Sequence, residues 1–268
     1  MKPAIITLLT DFGAQDYFVG AMKGVILSIN PHATIVDITH EIPPQDIKAA
    51  AFTLFSCYKD FPAGTIHLAV VDPGVGSNRR PILVESGHQF FIGPNNGLFS
   101  WIIDRERGFT AWQIANEQLF KKPVSSTFHG RDVFAPVAAA LSAGVPPESC
   151  GAALFDLVAL EPLAPLQTQN GFEGSIIHID RFGNCITNLT SEHVNEERIA
   201  AGAKLIVKNK EISAIRRFFA DQNASNDELF MLVGSAGFVE IAAQNASAAR
   251  ILSATRGDSV LLVQYDGE

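Results

Sequence analysis

The sequence predicts two domains of different class: an α/β N-terminal domain with a mostly parallel sheet over residues 1–163, and a small all-β barrel domain over residues 171–268. Three observations carry this. The chain has 268 residues, and chains beyond roughly 250 residues tend to divide into separate cores. Its first half alternates short apolar runs with helical patterns, the signature of strands crossed over by helices. Its second half has short strands at close spacing with glycine at many joins, which argues a small antiparallel barrel or sandwich.

In order, Ala4–Thr10 reads as a buried first strand and Phe18–Ile29 as a helix closed by Asn30-Pro31. Thr34–Ile38 is a second strand, Asp46–Phe55 a helix entered through Pro43-Pro44, and Thr65–Val71 a third strand of β-branched and apolar residues. Pro81–Glu85 and Gln89–Ile92, joined at Ser86-Gly87-His88, read as a hairpin, and helical patterns follow at Leu98–Asp104 and Val133–Ala143. Leu160–Asn170, with Pro162, Pro165 and a run of Gln, Thr and Asn, reads as a linker. Beyond it the expected strands are Gly171–Ile179, Cys185–Leu189, Ala203–Val207, Leu229–Val233, Phe238–Ala242 and Ser259–Gln264.

Composition excludes several classes. The formal charge is −8, and Lys and Arg are scattered, so no basic face for nucleic acid is expected. Mean hydropathy is +0.17, yet no apolar run approaches the roughly 20 residues of a membrane span. The apolar excess points instead to large cores and subunit interfaces, hence to an oligomer. Cys57, Cys150 and Cys185 are odd in number and far apart, which fits reduced thiols in a cytoplasm. The N-terminus runs directly into Ile5-Ile6-Thr7-Leu8-Leu9 and reads as a strand, not a signal peptide. Asn188, Asn223 and Asn245 begin glycosylation-type triplets, which carry no weight in a cytosolic chain. The seven histidines never pair at metal-ligand spacing, so no metal and no cofactor is expected.

In open parallel sheets, ligands sit outside the carboxyl ends of the strands. Two expected strands end there in aspartate followed by glycine: Asp11-Phe12-Gly13 and Asp72-Pro73-Gly74-Val75-Gly76. A carboxylate so placed either caps the next turn or faces a ligand, where it accepts hydrogen bonds from vicinal hydroxyls such as those of a ribose. Asp37, at the second strand's end, is followed by Thr39-His40-Glu41. Asp11-Phe12-Gly13 spells a kinase triplet but lacks a preceding catalytic loop. Gly74-Val75-Gly76 has neither the third glycine of a dinucleotide fingerprint nor the Lys-Ser/Thr of a phosphate loop.

Taken in order, Thr10-Asp11-Phe12-Gly13, Val71-Asp72-Pro73-Gly74-Val75-Gly76 with Arg79, Gly93-Pro94-Asn95-Asn96-Gly97, Phe128-His129-Gly130-Arg131-Asp132, Asp180-Arg181-Phe182-Gly183-Asn184 and Gly234-Ser235 with Glu240-Ile241-Ala242 resemble one family. It is that of the S-adenosylmethionine hydroxide adenosyltransferases, relatives of the fluorinase and chlorinase. The resemblance spans nearly the whole chain. It implies an α/β N-terminal domain, a β-barrel C-terminal domain, and a homotrimer with the small-molecule substrate held between neighbouring subunits. The implied reaction is hydrolysis of S-adenosyl-L-methionine to adenosine and L-methionine at the ribose 5′ carbon. The resemblance gives Asp72, Arg79 and His129 the holding and activation of the attacking water, and Asp11 the ribose hydroxyls. It gives Asp180 and Asn184 the methionine amine, Ser235 the methionine carboxylate, and Asn245 and Ala246 the adenine edge. Ala236 stands where the halogenase pattern has an arginine for the carboxylate, which leaves Ser235 with backbone donors as the grip.

The chemistry fits these residue types. A thioether leaving a sulfonium departs neutral and needs no acid, so the demand falls on the nucleophile. A guanidinium beside water favours its deprotonated form, and a carboxylate and an imidazole can aim a lone pair at the carbon. Phe12, Phe128 and Phe182 are available as dry lining. Arg131 is expected to pair with a loop carboxylate, Asp132 to cap the helix at Val133, and Pro94-Asn95-Asn96-Gly97 to shape the pocket wall. Two other readings stand beside this one. A halogenase is opposed by Asp72, whose carboxylate would repel halide, and a sensor that binds the nucleoside would lack turnover.

Overall fold

The computed structural model of the chain describes residues 4–219 and 225–263; Gln264, expected to end the last strand, and Asn223 lie outside them. The chain forms two compact units, Met1–Glu161 and Pro162–Glu268.

The first unit runs β1 (Ile5–Thr10), α1 (Phe18–Ile29), β2 (Thr34–Thr39), α2 (Ile47–Cys57), β3 (Ile66–Val70), β4 (Pro81–Ser86), β5 (Gln89–Pro94), α3 (Ser100–Glu106), β6 (Thr110–Gln113) and α4 (Ala135–Ser142). Its six strands form one sheet in the order β2-β1-β3-β5-β4-β6. The expected mostly parallel sheet is in fact mixed. Strands β2, β1, β3 and β5 run parallel, whereas β4 pairs antiparallel with both β5 and β6. The reason is local: at the turn after β4, Gly87 and His88 have φ 58° and 63°, the two positive values that a tight hairpin requires. A chain that reverses in two residues cannot return parallel.

Strand residues alternate between faces. Ile6, Leu8, Leu68 and Val70 pack with Met22 and Ile26 of α1 and Val137, Ala138 and Leu141 of α4 in one apolar cluster. His67 faces the other way. It stacks on Phe91, which also meets Tyr58 and Phe99 beside α2 and α3. With both faces covered, β3 is buried at every position, which is why it reads as a continuous apolar run. Asp46 caps α2 by accepting from the Ala49 N–H at 2.9 Å.

The second unit runs β7 (Leu166–Thr168), β8 (Gly171–Ile179), β9 (Cys185–Thr190), α5 (Glu196–Ala200), β10 (Lys204–Val207), β11 (Lys210–Ile212), β12 (Leu229–Val233), β13 (Phe238–Ala243), α6 (Ala248–Leu252) and β14 (Ser259–Val263). Its sheet follows the order β11-β10-β14-β8-β9-β13-β12, with β7 on β8. Every strand pairing in it is antiparallel. Beyond β11, Ile215 bridges to Met231 of β12, so the sheet curls into a nearly closed, barrel-like form around Ile176, Leu205, Met231, Ile241 and Val260. The segment expected to be a linker thus contains a strand, because Leu166, Gln167 and Thr168 pair with Glu173, Phe172 and Gly171 as an edge. Among the described residues no helix is long and apolar enough to cross a membrane.

Candidate active site

The carboxyl ends of the parallel strands β1 and β3 open onto a cavity of about 410 Å³ in the first unit. Asp11, Phe12, Phe18, Gln45, Asp72, Val75, Phe128 and His129 are on its wall. Phe12, Phe18 and Phe128 form a ring cluster with centroids 5.2–6.0 Å apart, in tilted and edge-on contacts that such rings favour.

Asp72 does not cap its turn. Its carboxylate is gripped by Arg79, whose Nε donates at 2.9 Å to each oxygen and whose Nη2 donates to Oδ2. The same Nη2 donates to His129 Nδ1 at 2.8 Å. Arginine has only donors, so Nδ1 is the accepting nitrogen and the neutral ring carries its proton on Nε2. Burial, then the Arg79 guanidinium, hold His129 below the ordinary imidazole range, against the pull of Asp72 and Asp132. The side chains of Asp72 and Arg79 are 6% and 10% exposed. Arg79 lies over the Phe134 ring at 5.3 Å. It sits behind Asp72 and His129 and is not on the cavity wall, so it acts on any bound water through those two groups.

Two supports position this trio. The loop after β3 folds on itself, with Val75 N–H donating to the Asp72 carbonyl and Ser77 Oγ to the Gly74 carbonyl. At Gly76, φ is 77° and a Cβ would lie 2.5 Å from the Ser126 carbonyl oxygen, so only glycine fits. The His129 side is held by a wide helical turn, Gly130–Phe134, that runs into α4. Here Asp132, fully buried, does not cap the helix at Val133. It lies inside the helical segment and accepts from the Ser125 N–H at 2.9 Å and from its neighbour Arg131 at 2.6 and 2.9 Å. Burial would raise the Asp132 carboxyl, but Arg131 and the Ser125 N–H outweigh it and hold the group ionised below its usual range. Arg131 therefore pairs with Asp132 itself, not with a loop carboxylate.

Asp11 accepts from the Gln45 N–H at 2.8 Å. Behind it, Thr10 Oγ1 lies 2.9 Å from His40 Nδ1, and His40 Nε2 lies 3.1 Å from Asp37, itself paired with Lys23 at 2.6 Å. This Asp37–His40–Thr10 line has the order of a nucleophile triad, yet Thr10 is wholly buried, so its hydroxyl meets no substrate. The line braces the turn instead: Phe12 N–H donates to Thr10 Oγ1 and Gly13 N–H to the His40 carbonyl. Pro94-Asn95-Asn96-Gly97 does not line the cavity. Asn96 Nδ2 donates to the Val71 carbonyl at 2.8 Å and Asn95 accepts from the Val158 N–H, so this turn braces the end of β3 from behind.

The second unit holds a larger cavity, about 1150 Å³, whose wall includes Asp180, Asn184, Ser235, Asn245 and Ala246. Three loops bring these five together: the β8–β9 turn, the β12–β13 turn and the segment between β13 and α6. Asp180 builds its own turn, Oδ1 accepting from Phe182 N–H and Asn184 N–H and Oδ2 from Asn184 Nδ2, at 2.8–2.9 Å. Gly183 has φ 85°, and a Cβ there would lie 2.0 Å from Ser247 Oγ. Phe182 is on the wall of this second cavity and is 78% exposed, unlike Phe12 and Phe128 on the first. Sequence reasoning named Glu240 only as part of a motif, without a role, and passed over Phe218, Phe219 and Arg250; all four share the wall. The signal for Glu240 was available, since it is the one charged residue inside the strand Phe238–Ala243. Among the described residues no group of three His, Cys, Asp or Glu side chains is placed to hold a metal.

Known proteins resemble this chain along nearly its whole length. The SAM hydroxide adenosyltransferase N-terminal domain matches residues 6–151, and the SAM hydroxide adenosyltransferase C-terminal domain matches residues 174–261. A Thermus thermophilus protein named (R)-S-adenosyl-L-methionine hydrolase is 37% identical, over 98% of this chain and 100% of its own length. A fluorinase from Nocardia brasiliensis is 28% identical over 75% of this chain and 76% of its own. An uncharacterized conserved protein from Thermotoga maritima, known by crystal structure, superposes with a TM-score of 0.87 at 36% identity, covering 96% of this chain and 99% of that one. This chain belongs to the SAM hydroxide adenosyltransferase family.

Proposed function

We propose that this chain hydrolyses S-adenosyl-L-methionine to adenosine and L-methionine by attack of water on the ribose 5′ carbon. The observation that carries this reading is the pair Asp72 and His129 on the wall of a parallel-strand cavity with aromatic lining, both held from behind by Arg79. The hydrolase name of the Thermus thermophilus relative supports it.

In this reading the water donates to the Asp72 carboxylate and accepts from His129 Nε2–H, which leaves one lone pair aimed at carbon. A new C–O bond forms as the C5′–S bond breaks, and the bond pair leaves on sulfur as a neutral thioether. The water's proton passes to Asp72 and then to solvent. Arg79 keeps Asp72 and His129 in register, an orientation effect that supplies ~7–11 kcal/mol of a barrier in favourable cases. The aromatic wall favours the step because approach of a nucleophile to a sulfonium proceeds best out of water. No cofactor enters the balance.

Asp11 holds the ribose hydroxyls with the carboxylate oxygen that Gln45 leaves open. Asp180 and Asn184 hold the methionine amine, Ser235 the carboxylate, and Asn245 and Ala246 the adenine edge. The chain works as a homotrimer with the substrate held between neighbouring subunits, and light scattering is expected to give the mass of three chains. Cys57, Cys150 and Cys185 are unpaired, in keeping with a reducing cytoplasm.

The test is incubation with S-adenosyl-L-methionine in water enriched in oxygen-18, followed by mass spectrometry. Adenosine labelled at its 5′ oxygen, together with methionine, is the expected result. Adenine in place of adenosine overturns the bond assignment, and binding without product moves the chain to a sensor.

A further inference from the structure

The Asp37–His40–Thr10 line stands beside the first cavity without facing it, and the reaction described above gives it no part. Asp11 and Phe12 are on the cavity wall, whereas Thr10 and His40 lie behind them. A register shift creates the line. Strand β2 pairs Asp37 with Leu8 but Thr39 with Leu9, so Ile38 is an extra residue on that side. An extra residue of this kind re-aims the side chains that follow it. One step further on, His40 and not Thr39 comes level with Thr10, the last residue of β1.

Asp11 lies one residue beyond the last pair of the β1–β3 ladder, Thr10 with Val70, so the sheet does not hold it. His40 holds it from both sides. Its Nδ1 is 2.9 Å from Oγ1 of Thr10, the residue before Asp11, and its carbonyl accepts from the N–H of Gly13, two residues after, at 2.8 Å. Burial would raise the Asp37 carboxyl, but Lys23 and His40 outweigh it and hold the group ionised below its usual range. His40 Nε2 faces that anion at 3.1 Å, off line for a hydrogen bond but close enough for attraction. A neighbouring anion favours the tautomer with its proton on Nε2, which leaves Nδ1 to accept from the Thr10 hydroxyl. Thr10 Oγ1 then keeps its lone pairs for the Phe12 N–H, 3.3 Å away. The backbone is thus fixed on either side of Asp11, and the Gln45 N–H fixes one oxygen of its carboxylate at 2.8 Å. The other oxygen is left for a ligand.

We propose that His40 is a positioning residue for Asp11, acting through the Thr10 hydroxyl and through its own carbonyl. It holds the Asp11–Gly13 turn so that the Asp11 carboxylate selects a sugar with vicinal hydroxyls over one without them. The proposal rests on the ribose role given to Asp11 above and deepens it.

The test is calorimetric binding of adenosine and of 2′,3′-dideoxyadenosine, which needs no turnover. Wild type is compared with His40→Leu, which removes the ring nitrogens, and with Thr10→Val, which removes the hydroxyl at nearly constant shape. A further variant, His40→Asn, places an amide oxygen about where Nδ1 stands. A hydrogen bond to a charged group contributes roughly 10- to 100-fold to binding, so wild type should prefer adenosine by about tenfold or more. In His40→Leu and in Thr10→Val most of that preference is expected to vanish through weaker binding of adenosine, with dideoxyadenosine bound within about threefold of wild type. His40→Asn should keep the wild-type preference, a rescue that mere packing does not predict. An unchanged preference in His40→Leu or Thr10→Val, equal losses on both nucleosides, or no rescue by His40→Asn overturns the proposal. Should His40→Leu fail to fold, Thr10→Val and His40→Asn decide the matter. Wild type that does not distinguish the two nucleosides removes the ribose role of Asp11, and the proposal falls with it. Wild type that prefers adenosine yet forms none from S-adenosyl-L-methionine fails the proposed hydrolysis alone, and the variants still decide the role of His40.

Discussion

Arg79 is the residue on which the first cavity's chemistry turns, although it does not face the cavity. A guanidinium that forks onto Asp72 and also donates to His129 fixes the orientation of one neighbour and the tautomer of the other. That arrangement assigns His129 an N–H toward the cavity and leaves Asp72 as the acceptor for a water proton. Asp72→Asn keeps the shape and removes the charge, so turnover is expected to fall about 10²- to 10⁴-fold. Binding of S-adenosyl-L-methionine, measured by calorimetry, should change far less. Near-normal turnover would remove Asp72 from the reaction. At this scale Asp11 and Asp72 were legible as cavity residues because strand ends announce themselves in sequence, whereas His129, which precedes a helical turn, was named only through the family resemblance. The position of Arg79 behind the wall was not, since one residue's depth depends on contacts with His129 and Phe134, 50 and 55 residues away. Glu240 was legible as part of a motif but was given no role.

At the scale of elements, the long helix Phe18–Ile29 and the strands Gly171–Ile179 and Leu229–Val233 have in the structure the bounds that their periodicity suggests. What escaped were β6, β7 and β11, of three or four residues each. Strands this short carry too few alternations to register, and β7 is exposed at every position, so no apolar face marks it. The antiparallel pairing of β4 with β5 was legible in the turn at Gly87-His88, whereas the antiparallel addition of β6 on the other side of β4 was hidden with that strand. The loop between β3 and β4 shows how such local geometry reaches the site. Gly76→Ala places a Cβ against the Ser126 carbonyl, in a positive-φ region that costs an alanine roughly 1–2 kcal/mol by itself. The loop must then move, carrying Arg79 away from His129. We expect kcat to drop by tenfold or more while the melting temperature falls only a few degrees, as a backbone shift confined to one loop allows. Unchanged kcat would show that the loop tolerates the displacement.

At the scale of the molecule, the division into an α/β unit and a barrel-like unit was readable from texture alone, since strands crossed by helices and strands joined by turns leave different patterns. Stability against acid belongs to this scale, and the −8 charge is not what decides it. His67 is fully buried between the Thr7 hydroxyl and the Gln89 carbonyl, at 2.8 Å from each. Burial pushes its pKa down to about 4 from the ordinary 6.5, partly offset by Gln89. The folded first unit therefore refuses a proton that the unfolded chain accepts below pH 6.5. Its contribution is fully present above that pH and is lost as pH falls toward 4, at about 1.4 kcal/mol per unit and on the order of 3 kcal/mol in total. Denaturant unfolding followed from pH 7 to pH 4.5 should show this slope beginning near pH 6.5. In His67→Gln, which carries no titrating group, the early part of the slope should vanish even though overall stability is lower. If the variant loses stability with the same pH dependence as wild type, the acid sensitivity lies with other groups, and His67 is only a packed polar residue.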